Sequence, residues 1–147
     1  MNAKESDATI NAKLVEWNIT YKARYVGQVQ RDKKWDCDQW DVTFSKLAGK
    51  SFRTDYYKGL GLRSKIKESS FSTGGKPVKP EAAGVLYSLL LDASEQSFSY
   101  WCGDLGYDTD SIKAFNTYHA CERIGKELRT VFDREQRAEL SKLLEDY

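Results

Sequence analysis

The chain is short of the residues that most reaction centres need. It has one histidine, three cysteines and two prolines. A single histidine cannot build a His-rich metal cluster, and it leaves only a Cys–His pair for nucleophilic catalysis. Cys37, Cys102 and Cys121 are odd in number and follow no framework spacing. With no secretion-type leader they read as reduced thiols rather than as a disulfide scaffold. No long apolar run exists either: the longest, Val85 to Leu91, is interrupted by Ser88. That excludes an obvious membrane span, and the polar start MNAKESDATINAK lacks a signal-like apolar region. The expectation is a soluble, untargeted, cytoplasmic protein.

What is present suits one folded domain over residues 1–147. Hydrophobic residues make up 40% and aromatic residues 13% of the 147, enough for a core without covalent staples. The formal charge of +1 hides an asymmetry. Residues 1–80 hold 16 Lys/Arg against 9 Asp/Glu, whereas residues 81–147 hold 7 against 13. A basic half joined to an acidic half speaks about partners and orientation, not about fold.

The basic half has strand character. From Val15 to Tyr25 every odd position is apolar or aromatic and every even one polar, which predicts a half-buried strand. Arg31 to Asp38 is a charged turn, Trp40, Val42 and Phe44 mark a second strand, and Ser51 to Lys58 a shorter third. The reading is a flexible N-terminus over 1–12 followed by an antiparallel β-meander over 13–58. Residues 59–80 carry four glycines, two prolines and five Lys/Arg, and predict a mobile basic loop.

The acidic half, 81–147, has helical period. Pro80 and Glu81 open a first helix with the stripe Ala82, Val85, Leu86, Leu89, Leu90 and Ala93. Ser94 is expected to cap a short helix carrying Phe98, Trp101, Cys102 and Leu105, ended by Gly103 and Gly106. A long helix from Ser111 to Phe132 has the apolar face Ala114, Tyr118, Cys121, Ile124, Leu128, Val131. Asp133 and Gln136 form a capping box before a last helix with Leu140, Leu143, Leu144 and Tyr147 inward. The fold class that follows is α+β: a three-stranded antiparallel sheet from the N-terminal half, packed with three or four helices from the C-terminal half.

Several chemical motifs fail on inspection. A calcium loop begun at Asp108 has Lys113 where glycine must turn the chain and His119 where a bidentate glutamate belongs. Asp108, Thr109 and Asp110 fit better as caps and charge at a helix N-terminus. Zinc at Cys102, His119 and Cys121 requires residues two apart to meet, and a helix points them apart. The stretch Ser72 to Pro77 lacks the first glycine and the final hydroxyl of a phosphate loop. The reading is therefore no enzyme, no metal and no cofactor.

Two surfaces remain as candidate sites. Lys22, Arg24, Arg53, Tyr57, Lys58, Arg63, Lys65, Lys67, Phe71 and Lys76 place basic side chains and interleaved aromatics on the strands and loop. Such a surface can track a phosphate backbone and stack bases; the plainer reading is edge protection and solvation. Asp104, Asp108, Asp110, Glu122 and Glu127 form a predicted acidic face. Gly125, inside the longest helix, costs about 1 kcal/mol relative to alanine. It points to close approach by a neighbouring helix or by a partner chain.

The pattern F-x-x-W-C-x-x-x-G-Y-D-T-D-S-x-K-A-x-x-x-Y-x-x-C, Phe98 to Cys121, occurs with WDVTF at Trp40, FSTGG at Phe71 and VLYSLL at Val85. Together they resemble a group of small accessory proteins encoded by bacteriophages. The resemblance covers most of residues 35–147 and implies an origin in the cytoplasm of an infected bacterial cell. It implies no catalytic residues and no cofactor. By analogy of origin, it implies binding and inhibition of a host macromolecular machine, with anti-CRISPR-like defence inhibition as the favoured use. The expected partner is a host protein or protein–nucleic-acid complex, with no membrane. The alternative is a single-stranded nucleic-acid-binding protein using the basic sheet and loop. Opposed charges would also allow a homodimer.

Overall fold

The computed structural model describes residues 3–30, 36–46, 51–55 and 79–147. The N-terminus, expected to be flexible over 1–12, is helix α1 (Ala3–Glu16). Ile10 and Leu14, one turn apart, are buried against the main core, and Ser6 is buried one turn earlier. Burying two such aliphatic side chains contributes about 1.5–3 kcal/mol each, enough to dock an otherwise polar helix. The period-two pattern therefore starts four residues, about one helical turn, too early. Val15 is 76% exposed on α1, and the strand begins only at Ile19. Between them Asn18 adopts φ 58°, the left-handed conformation that ends helices and that asparagine tolerates.

Strand β1 (Ile19–Gln30) pairs antiparallel with β2 (Asp36–Lys46), Tyr21 lying opposite Phe44 and Tyr25 opposite Trp40. Asp36 to Asp38, expected in the turn, belong to β2. The backbone of β3 (Ser51–Asp55) runs antiparallel to β2, with Phe52 opposite Phe44. Val42 and Phe44 are fully buried, and Tyr21 and Ala23 pack beside them, while Thr20, Lys22 and Arg24 are exposed. One face of the sheet thus meets the helices and the other meets solvent. Of the expected loop, residues 59–78 lie outside the described residues. Its last two residues are held on β1: the Tyr21 hydroxyl donates to the Pro80 carbonyl at 2.6 Å, and Lys79 Nζ sits 5.5 Å from the Tyr21 ring centre.

Helices α2 (Ala82–Asp92), α3 (Phe98–Leu105), α4 (Ile112–Val131) and α5 (Arg134–Leu143) complete an α+β fold with five helices among the described residues. The fifth, α1, is the one absent from the expected three or four. Three caps differ from expectation. Pro80 precedes the cap residue Glu81, whose side chain makes no cap bond. Instead Asp7 of α1 accepts from the Ala83 N–H at 3.2 Å, so a carboxylate from a distant helix satisfies the start of α2. Helix α3 starts after Ser97 rather than Ser94, with no side-chain cap bond from Ser97, and only Gly106, at φ 74°, ends it; Gly103 lies inside. Helix α4 is capped by the Ser111 hydroxyl, which accepts from the Ala114 N–H at 3.2 Å. Asp108 accepts instead from the Asp110 N–H, a local turn leading into that cap. The capping box of Asp133 and Gln136 opens α5 as expected.

Helix α4 serves two cores. Its C-terminal half, Ile124, Leu128 and Val131, joins Phe132, Leu140, Leu144, α1, α2 and the sheet. Its N-terminal half, Ala114, Tyr118 and Cys121, packs with Trp101 and Cys102 of α3 in a second cluster. Gly125 marks the junction. The close approach it signals comes from neither a helix nor a partner chain but from the segment linking α2 to α3. A Cβ on Gly125 would stand 2.8 Å from the Ser94 carbonyl oxygen. Ser94 is fixed there because its N–H donates to the Cys121 carbonyl at 3.1 Å.

Two glycine substitutions should therefore have opposite effects. Gly125→Ala gains about 1 kcal/mol of helix propensity but loses about 1–3 to an overpacked backbone contact, so it should lower stability. Gly103→Ala, with nothing within 4 Å of the new methyl, should raise stability by up to about 1 kcal/mol. Urea midpoints of the two variants provide the check, and a gain for both would remove the close-approach argument.

Candidate interaction surface

The α3–α4 cluster is built from rings. Trp101 stacks on Tyr107 at 5.4 Å and meets Tyr118 edge-on at 5.5 Å; Phe98 lies 5.2 Å from Tyr118. Such pairs add about 0.5–1.5 kcal/mol each beyond area burial, so a two-helix unit with few aliphatics holds together. The ring network does not stop at the core. Phe98 meets Phe115 at 5.9 Å, and Phe115 meets His119 at 4.3 Å, both edge-on.

These outer residues form a second stripe on α4. Ile112, Phe115 and His119 recur at i, i+3 and i+7, on the side away from Ala114, Tyr118 and Cys121. Ile112 is 78% exposed, and Phe115 and His119 are each half exposed. Sequence reasoning assigned only the inward stripe; a second helical spacing, i, i+3 and i+7 from Ile112, carries the outward one.

Carboxylates lie at both ends of this stripe. From Ser97 to Glu122 there are four, Asp104, Asp108, Asp110 and Glu122, against one lysine, Lys113. Asp108 and Asp110 are exposed just before the cap of α4. Glu122 lies at the far end, its carboxylate 3.5 Å from His119 Nδ1. A relay of hydrogen bonds links Glu122 to Asp104: the Tyr118 hydroxyl lies 3.5 Å from Glu122 and donates to the Gln96 carbonyl, and the Gln96 amide donates to Asp104 at 3.0 Å. Glu127 is the exception in the predicted acidic face. Five residues beyond Glu122, it is turned about 140° around α4. Partial burial raises its pKa against the opposing effect of Arg123.

Cys102 and Cys121 do not converge with His119. Cys102 and Cys121 are buried in the ring cluster, whereas His119 is on the exposed side of α4. Burial pushes the Cys102 thiol pKa upward and the Asp108 charge adds to it, the opposite of the shift that activates a nucleophilic thiol. Among the described residues no group of three or more His, Cys, Asp or Glu is placed to hold a metal ion.

Comparison with known proteins adds no relative. The chain matches no family model, no curated protein and no solved structure.

On the basic side, Lys22 and Arg24 are exposed on β1, and the strand register sets Lys22, Thr43 and Arg53 in one row. Tyr57, Lys58, Arg63, Lys65, Lys67, Phe71 and Lys76 lie outside the described residues. No helix among the described residues is long and apolar enough to cross a membrane.

Tyr118 ties the surface to the core, and its titration offers a test. Burial first, then the Glu122 charge, raises its phenol pKa above the ordinary 10.0. A folded-state pKa above the unfolded one means the stabilisation is complete below about pH 10 and is lost as pH rises through the folded value. Tyr118→Phe should therefore cost about 1 kcal/mol at pH 7 from the lost hydrogen bond. The difference from wild type should close above pH 10. Urea unfolding at stepped pH measures it, and a difference that stays constant to high pH would refute the assignment.

Proposed function

We propose that this chain is a non-enzymatic binding protein whose α3–α4 face blocks a basic groove on a host macromolecular machine. The observation that carries the reading is the exposed stripe of Ile112, Phe115 and His119, set among Asp104, Asp108, Asp110 and Glu122. Isolated exposed apolar residues are ordinary, but a second apolar stripe left half exposed or more on a helix whose inward stripe is already packed exceeds what the fold requires. Apolar anchors with a charged rim suit protein interfaces, where anchors give affinity and rim charges steer encounter. Carboxylates spaced around anchors can stand in for phosphates in a groove that normally holds nucleic acid.

The resemblance to bacteriophage accessory proteins supplies the context: action in the cytoplasm of an infected bacterium, with inhibition of host defence, CRISPR–Cas in particular, as the favoured use. The partner is then a host protein or protein–nucleic-acid complex. Producing the chain in bacterial strains that each carry one defence system should restore plaque formation by a targeted phage in at least one. The double variant Ile112→Ser, Phe115→Ser should lose at least tenfold of that protection while it stays folded, its stability lowered by about 1–3 kcal/mol through the lost ring pairs of Phe115 with Phe98 and His119. No restoration in any strain, or full protection by the double variant, would overturn the reading.

A second reading, binding of single-stranded nucleic acid, is supported by the shared row of Lys22 and Arg53 on the sheet. It requires affinity for an oligonucleotide that falls with salt by a slope of several phosphates. Replacing Lys22 and Arg53 by glutamine should flatten that slope, and no retention at low salt would remove this option.

A further inference from the structure

The acidic half contains a basic cleft. Between the last turns of α4 and the first turns of α5 lies a shallow depression, wide open to solvent, lined by Glu95, Arg129, Arg134, Arg137, Ala138 and Ser141. Three of the seven basic residues in 81–147 therefore gather in one place. The gathering has a geometric cause. Arg129 sits in the last turn of α4, the chain turns at Phe132 and Asp133, and Arg134 and Arg137 follow on the first turn of α5.

A single carboxylate serves this group. Glu95 Oε1 lies 2.7 Å from Arg129 Nη1 and 3.4 Å from Arg137 Nη1. Arg137 is further fixed by its Nε, which donates to the Asp133 carbonyl at 3.4 Å. Arg134 makes no ion pair among the described residues. Glu95 itself is 65% exposed on the segment that Gly125 admits, so it covers the arginines from the solvent side without being enclosed. The start of α5 is not the attraction, because its own capping box already satisfies it. What remains is three guanidinium groups, one shared oxygen and an adjacent serine.

We propose that this cleft is an anion site that takes a phosphate group, with Glu95 holding the place of one ligand oxygen. Guanidinium groups prefer planar, multidentate contact with oxyanions, and a phosphate offers several oxygens where Glu95 engages two arginines through one. Arg129, Arg134 and Arg137 hold the phosphate, and the Ser141 hydroxyl is within the same lining. Displaced Glu95 swings into water at small cost, since exposed ion pairs contribute little to stability. The site is separate from the α3–α4 face and does not depend on the binding function proposed for it.

The test is a titration of the whole chain at constant ionic strength and pH 7.5, following the arginine side-chain N–H signals by NMR. Inorganic phosphate, pyrophosphate and a short single-stranded oligonucleotide are the probes; the first two report a small-molecule source and the third a nucleic-acid backbone. Saturable shifts confined to Arg129, Arg134 and Arg137 are expected with at least one probe. Glu95→Gln should bind that probe several-fold tighter, and Arg134→Gln about tenfold weaker with unchanged thermal stability. Three results would overturn the proposal. These are no saturable shift even in Glu95→Gln, shifts spread evenly over all arginines, or an Arg134→Gln variant that binds as wild type does.

Discussion

The contact between the Ser94 carbonyl and the bare Cα of Gly125 organises the C-terminal half of this molecule. Because no side chain intervenes, the segment joining α2 to α3 lies directly on α4, and the Ser94 N–H reaches the Cys121 carbonyl. Everything that segment carries is placed by this approach. Gln96 presents its carbonyl to Tyr118 and its amide to Asp104, which fixes the ring cluster and one edge of its acidic rim. Glu95, one residue earlier, falls between Arg129 and Arg137. A methyl group at position 125 would push against both arrangements at once. That accounts for a glycine in the middle of a 20-residue helix, where propensity alone argues against it.

Helix α4 consequently works as a beam with two loads. Its C-terminal half is buried in the main core with the sheet, α1, α2 and α5, and its N-terminal half carries α3. The main core anchors the beam, so the ring cluster can project an apolar stripe outward without compromising the fold. Phe115 and Arg129 are fourteen residues apart, about 21 Å along a helix rising 1.5 Å per residue. The stripe and the arginine cleft thus occupy different ends of one rigid element, with the Gly125 junction between them.

How much of this could be read from the chain depends on how local the cause is. The inward stripe from Ala114 to Val131 and the alternation of Tyr21, Ala23, Val42 and Phe44 are legible because each residue's burial follows from its own element's period. The capping box at Asp133 is legible for the same reason. Helix α1 is not, since Ile10 and Leu14 are the buried apolar residues it contributes among those described and the alternating run from Val15 masks its end. No local rule foresees Asp7 capping α2, a bond that spans 76 positions. Gly125 lies between these cases: its cost in a helix signals a close approach, but the identity of the approaching backbone depends on the tertiary path.

Charge shows the same division between sum and arrangement. Counting Asp and Glu marks residues 81–147 as acidic, and that count predicts a single anionic face. The helices divide it. Asp104, Asp108, Asp110 and Glu122 belong with the α3–α4 unit, Glu127 turns to another side, and the break at Phe132 and Asp133 folds three arginines toward one glutamate. Within a Debye length of about 8–10 Å, a ligand responds to those local groups rather than to the total for the half. A region that is anionic in sum can thus present a cation-lined cleft beside a carboxylate-rimmed apolar stripe. The recognition chemistry of this chain has to be read from each cluster in turn.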